Sequence, residues 1–395
     1  MNQSKTFNTT AVFIAACIGM CFFGISMITL GSVLPWLSGR FALTSGETTG
    51  LVTSLPIGIM AGSLVFGPIV DRFGHKLLLI ISCVLVLLGV LGVAYAGTVA
   101  LLSPAVFFIG LGGGVLNGET NALVTEIYDG NRRNSRLSLL GVFYGLGALT
   151  IPVMLRRLEE SFSVEAILGG ISVVMAAGII YCVAVRFPAP KQPQGFPLKE
   201  VGRIITNPLL LILSAVLFFQ SGVEGVTNNW TTSFLGAAGQ SEATALQALT
   251  WMLIGLTAAR LVQTWLFSRV SSVSVLVVSL IATAAGFCLL AFTASPVMIY
   301  VAMTIIGAGL ASTFPVILGI LGSRFASLSG TAFSIALVIA LCGQTTINYT
   351  TGLISGAGAI ASFPWLMVAS VAAMLLLFGL YYTRLKRKSL FKNKC

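Results

Sequence analysis

The chain has 395 residues, of which 56% are hydrophobic and only 8% charged, and its formal net charge is +11. A soluble globular domain carries about a quarter charged residues, so that class is excluded. The positive balance could suit a nucleic-acid binder, but nearly all the basic residues lie in the connections between apolar stretches and in the tail, mostly on one side of a twelve-span plan, as a membrane protein places them.

A spanning helix needs about 20 predominantly apolar residues. Twelve such stretches occur, near 11–36, 50–70, 77–97, 100–124, 136–155, 164–186, 207–230, 246–267, 273–293, 296–320, 329–354 and 361–383. The first is too long, and too poor in N-terminal charge, for a cleaved signal peptide, so it is expected to remain as a helix. The second and third spans are joined by Gly67-Pro68-Ile69-Val70-Asp71-Arg72-Phe73-Gly74-His75-Lys76. Gly67 can let two helices approach and Gly74 can permit a tight turn. Asp71 can accept backbone N–H groups or pair with a basic neighbour, while Arg72 and Lys76 favour the cytoplasmic side. His75, the only histidine, falls in this connection and is expected in a loop, which argues against a histidine-based metal or catalytic site.

An ionisable side chain inside a span costs at least about 2.5–3.5 kcal/mol on insertion scales, so each one calls for a reason. The fourth span carries Asn117, Glu119, Thr120 and Asn121. Asn117, Thr120 and Asn121 share a face. Glu119 lies about 200° from Asn117 and shares its face with Glu126. Glu119 is a candidate proton carrier, with Asn117 and Asn121 as hydrogen-bond partners for a polar solute. Glu126 is expected to pair with Arg132 or Arg133.

The segment from Pro188 to Asn207 is the longest polar connection and separates six spans from six. Three regions are implied: residues 1–187, a linker over 188–206, and residues 207–395 with a basic tail. A shift of 197 residues brings Asp71-Arg72-Phe73-Gly74 onto Ser268-Arg269-Val270-Ser271. It also brings Ile109-Gly110-Leu111-Gly112 onto Ile306-Gly307-Ala308-Gly309. Two matches at one offset imply parallel six-helix repeats with a site near the membrane midplane, where the halves meet. The second copy of the loop has lost its acid.

In the seventh span Gln220, Glu224, Thr227, Asn228 and Thr231 recur at helical spacing and form one polar stripe, with Trp230 near its outer end. Glu224 at that depth is the leading candidate to carry a proton. The eighth span holds Arg260 with Gln263 and Thr264. An arginine cannot discharge, so it needs an anion or water, as a structural pair or as a gate. The eleventh span offers Gln344, Thr345, Asn348 and Tyr349 as donors and acceptors.

On a twelve-span plan, Lys5, Arg72, Lys76, Arg132, Arg133, Arg136, Arg186, Lys191, Lys199, Arg203, Arg269, Arg324 and the tail from Arg384 to Lys394 fall on one side. Only Arg40, Arg156 and Arg157 fall on the other. This asymmetry puts both termini in the cytoplasm, with the tail against anionic lipid. Six cysteines lie within spans and Cys395 ends the tail, in no spacing that suggests zinc or a disulfide framework.

The loop fits G-x-x-x-D-R-x-G-[RH]-K and resembles the signature loop of the major facilitator superfamily. Gly222-Val223-Glu224 followed by Trp230 resembles the seventh-helix pattern of its fucose–galactose–glucose proton symporter branch. Gly31-Ser32-Val33-Leu34-Pro35, Phe314-Pro315 and the segment ending at Asn121 support the match. The fucose members carry an aspartate in helix 1 that this chain lacks. Anchored on Asn121, the branch's helix 4 carboxylate falls on Asn117.

The resemblance implies an all-α membrane protein of twelve helices in two pseudo-symmetric bundles. It implies a secondary transporter, not an enzyme, that carries a small polar solute, most readily a sugar, by proton symport. The expected site comprises Asn117, Asn121, Gln220, Asn228, Trp230, Gln344 and Asn348 for solute, and Glu224 and Glu119 for protons. Arg260 would be a buried charge or gate, and Gly67, Asp71, Arg72, Gly74 and Lys76 form the loop. The expected partners are solute, protons and the bilayer of a bacterial inner membrane. The protein is expected to act as a monomer, with no cofactor, metal or nucleic acid. Alternatives are a proton-antiporting exporter of drugs or organic anions, and a nontransporting membrane sensor.

Overall fold

The structure, a computed structural model, describes residues 7–190, 198–356 and 360–392. The expectations for Lys5, Lys191, Lys394, Cys395 and the stretch 191–197 lie outside the described residues. So do those for the side chains of Lys199, Lys386, Arg387, Lys388 and Lys392.

All regular structure among the described residues is helical. The helices are α1 (Thr9–Phe41), α2 (Ser45–Phe73), α3 (His75–Tyr95), α4 (Val99–Ile127), α5 (Gly130–Leu158), α6 (Val164–Ala184) and the short α7 (Leu198–Ile205). They continue with α8 (Pro208–Ala237), α9 (Glu242–Leu266), α10 (Ser272–Phe292), α11 (Pro296–Leu310), α12 (Thr313–Arg324), α13 (Ser329–Gly356) and α14 (Phe363–Lys392). Twelve segments are long and apolar enough to cross a membrane, which is the expected architecture. Most run up to two turns beyond the stretches read from hydropathy, because polar caps and first-turn residues extend a helix past its apolar core. The tenth span breaks between α11 and α12. Pro315 has no N–H to donate and its ring would clash with the carbonyl four residues back, at Ala311.

The repeat holds at the level of single contacts. Shifted by 197 residues, His75–Tyr95 becomes Ser272–Phe292. Thr44 caps α2 through the Glu47 N–H, and Ser241 caps α9 through the Thr244 N–H, at the same offset. A Cβ on Gly110 would strike the Leu55 carbonyl, and one on Gly307 the Met252 carbonyl. Gly112 sits against the Ser82 carbonyl and Gly309 against that of Ser279. Lipid supplies no hydrophobic drive between helices, so such close backbone approach is how α4 grips α2 and α3, and how α11 grips α9 and α10.

The chain forms two compact units. The first comprises residues 1–128, 140–198 and 325–334, and the second residues 129–139, 199–324 and 335–395. Each therefore includes a short stretch of chain from beyond the Pro188–Asn207 connection. In the first unit this is the start of α13, packed on α2, where Ser334 Oγ donates to the Leu64 carbonyl at 2.8 Å. Gly67 lies directly against Gly330, so the expected close approach at Gly67 is present. In the second unit it is the start of α5, where Asn134 Nδ2 donates to Ser272 Oγ, Ser135 Oγ to the Thr264 carbonyl and Arg133 to the Gly319 carbonyl.

Candidate functional site

In the first unit Asp71, near the end of α2, is buried. Its Oδ1 accepts the Gly330 N–H at 3.2 Å. Its Oδ2 accepts the Thr331 N–H at 2.9 Å and the Thr331 hydroxyl at 2.8 Å. These amides begin α13, where the first turn has N–H groups without intrahelical partners and the helix dipole favours negative charge. Backbone capping was one of the two roles open to Asp71 in sequence, and it is seen here. Gly74 makes the turn with φ of 82°, a backbone conformation that L side chains rarely adopt. Arg72 lies over the Phe73 ring, and Lys76 Nζ donates to the Val183 carbonyl at the end of α6.

His75 departs from expectation. It is the first residue of α3, not a loop residue, and it is buried. Its Nδ1 lies 3.0 Å from Glu119 Oε1 and its Nε2 lies 3.0 Å from Glu126 Oε2. The turn at Gly74 ends so abruptly that the next side chain already packs on α4. Glu126 therefore meets His75, a contact not expected from sequence, which offered Arg132 or Arg133; Arg133 donates to Asp129 at 2.9 Å. On the other side of α4, Asn121 Nδ2 donates to the Asn117 carbonyl and Thr120 Oγ1 to that of Leu116.

In the second unit the face of α8 formed by Phe218, Gly222, Gly225 and Asn229 packs on α13, and the polar stripe through Gln220 and Glu224 lies on another face of the helix. Gly222 and Gly225 of α8 sit against Ile347, Gln344 and Asn348, and Gly343 of α13 sits against Phe218. Gln220 is wholly buried. It donates to the Leu310 carbonyl at 3.2 Å and reaches Glu224 Oε2 at 3.5 Å. Leu310 ends α11, so Gln220 serves a carbonyl at the break in the tenth span. Glu224 keeps part of its surface exposed, whereas Glu119 is wholly buried. Asn228 donates to the Glu224 carbonyl, and Asn229 Nδ2 to Asn348 Oδ1 at 2.9 Å. Trp230 lies beside Gly352. Arg260 of α9 is buried, with Thr264 bonded to its carbonyl, and Gln263 accepts from Ser138 of α5.

Sequence reasoning singled out Asp71, Glu119, Glu224, Gln344 and Asn348, and it did not anticipate three residues that contact them: Thr331 at Asp71, His75 at Glu119 and Asn229 at Asn348. Thr331 was within reach. Ser329-Gly330-Thr331 opens a span with small and hydroxyl residues, and backbone N–H groups were one of the two partners open to Asp71.

The family model described as Major Facilitator Superfamily matches residues 16–344. An arabinose-proton symporter from Escherichia coli is 27% identical over 194 residues, 49% of this chain and 40% of that protein. A protein TsgA homolog from Buchnera aphidicola is 24% identical over 143 residues, 36% of this chain and 37% of that protein. These alignments span less than half of either relative's length. The fold is shared with the Escherichia coli fucose:proton symporter FucP in its outward conformation. That match has a TM-score of 0.79 at 18% identity and covers 93% of this chain and 98% of that one.

Proposed function

This chain belongs to the Major Facilitator Superfamily, a family of membrane transporters and not of enzymes, and on that premise we propose that it is a proton-coupled symporter of a small polar solute, most readily a sugar. The observation that carries this reading is the polar character of α8 and of the part of α13 packed on it. Gln220 reaches the Glu224 carboxyl, Asn228 donates to the Glu224 carbonyl, and Gln344 and Asn348 of α13 lie against Gly225, the next residue. Amides donate to and accept from hydroxyls without demanding a charge, as a sugar requires. A carboxyl among them can take up and release a proton. Asn117, Asn121 and Trp230 would complete the solute contacts, and Glu119 would share in proton coupling. Transport would follow alternating access, and the protein would work as a monomer in a bacterial inner membrane with both termini cytoplasmic. The sugar:proton and arabinose-proton symporters named above support the substrate class.

The test is uptake into proteoliposomes under an imposed pH gradient, with a radiolabelled panel of pentoses, 6-deoxyhexoses and hexoses. Accumulation of at least one sugar, abolished by a protonophore, is expected. If no sugar accumulates and an organic anion is expelled instead, the buried Arg260 becomes the better guide and the exporter reading replaces this one.

A further inference from the structure

We propose that Glu119, His75 and Glu126 form a proton relay, a site that holds one exchangeable proton and passes it between the two carboxyls through the imidazole. Glu119 and Glu126 are seven residues apart on α4, so two helical turns separate their Cα atoms by about 10.5 Å along one face, and their side chains lean towards one ring. The His75 ring bridges them, with 3.0 Å on each side. Each contact at that distance is closed by one hydrogen. A neutral imidazole supplies one hydrogen, so the second sits on the ring, as imidazolium, or on one of the carboxyls as an acid.

Three arrangements satisfy both contacts: an imidazolium between two carboxylates, an acid at Glu119, or an acid at Glu126. All three hold the same two hydrogens and one net negative charge. The proton can therefore move without changing the cluster's charge. An O–H at Glu126 Oε2 gives its proton to Nε2 while Nδ1–H gives its proton to Glu119 Oε1. Loss of the proton leaves one nitrogen lone pair facing a carboxylate, and that contact must open. The path leads from Glu126, whose side chain is 17% exposed, to Glu119, at 0%. Glu119 Oε2 is buried with no hydrogen-bond partner among the described residues and forms the open end of the relay.

Among the described residues, other titratable side chains bearing on Glu119 include Cys83 of α3 and Cys182 of α6, both close enough to interact with it. Lys76 is turned to the Val183 carbonyl and Asp71 to α13. The relay deepens the assignment of Glu119 to proton coupling. Only its use in transport rests on the reading above, since the hydrogen count comes from geometry alone.

His75 is the chain's only histidine, so an untagged full-length protein labelled with nitrogen-15 in its imidazole reports this ring and nothing else. It would be titrated in lipid nanodiscs from about pH 5 to about pH 9 by solid-state NMR. Glu119→Gln and Glu126→Gln are each expected to move the ring's titration midpoint by about one pH unit or more, and Glu224→Gln to leave it in place. If a glutamine variant does not fold, Glu126→Asp serves, and a change confined to the Nε2 resonance supports the relay. A ring that keeps one neutral tautomer at every pH, or the same midpoint or Nε2 resonance in these variants, overturns it. Loss of solute uptake does not alter this titration, so the relay and the transport reading fail separately.

Discussion

Asp71 caps Thr331: its Oδ2 accepts both the backbone N–H and the hydroxyl of a residue 260 positions further along the chain. The two lie within one compact unit, in which the last turn of α2 meets the first of α13. A carboxylate at a helix N-terminus is stabilised by the dipole and by the unpartnered amides together.

Asp71→Asn keeps an acceptor oxygen but removes the charge, and turns one of the two oxygens into a donor facing donors. We expect a loss of about 1.5–3 kcal/mol at this contact. Initial transport rate should fall about tenfold or more while expression and solute affinity stay within about twofold. An unchanged turnover would reduce the loop to a marker of topology.

Glu224→Gln retains shape and hydrogen bonding but cannot titrate. Accumulation against a gradient should be abolished, while exchange of internal for external solute persists. Wild-type accumulation with wild-type pH dependence would show Glu224 to be structural, and coupling would pass to Glu119.

The glycine contacts separate two kinds of position. Gly307→Ala places a methyl against the Met252 carbonyl and should cost about 1–3 kcal/mol, read as a lower thermal midpoint. Gly170→Ala in α6, with open space around it, should be neutral or stabilise by up to about 1 kcal/mol. Equal effects at the two sites would contradict the backbone-to-backbone packing described above.

Topology is testable at Arg72, which is exposed, where a cysteine at position 75 would be buried. In a background with the native cysteines replaced by serine, Arg72→Cys should react with an impermeant maleimide only after the membrane is opened. Reaction in intact cells would invert the orientation inferred from the basic residues.

Much of the fold was readable in advance because it rests on local or periodic signals. Twelve apolar runs gave twelve spans, and the paired glycines at Gly110 and Gly307 gave the repeat before any contact was known. The site was readable only on one side of each contact. The seven-residue spacing of Glu119 and Glu126 placed them on one face, but their common partner is 44 and 51 residues away, which no period reports. His75 read as a loop residue because Gly74 and Lys76 flank it. What buries it is the depth at which α3 restarts against α4, a tertiary fact. Gln220 belonged to an evident polar stripe, yet its partner is a main-chain carbonyl at a helix break, and backbone acceptors leave no trace in side-chain pattern.

The borrowed helix ends carry a consequence for any attempt to cut the protein in two. A fragment ending at the Pro188–Asn207 connection would lack the ten residues 325–334 that complete its own bundle, and Asp71 would face no amides. Its counterpart would lack residues 129–139 and leave Ser272 and the Thr264 carbonyl without Asn134 and Ser135. Each fragment should therefore be degraded when made singly, and the two should rescue one another when made together, read as the level of each fragment in cells; stable single fragments would contradict this.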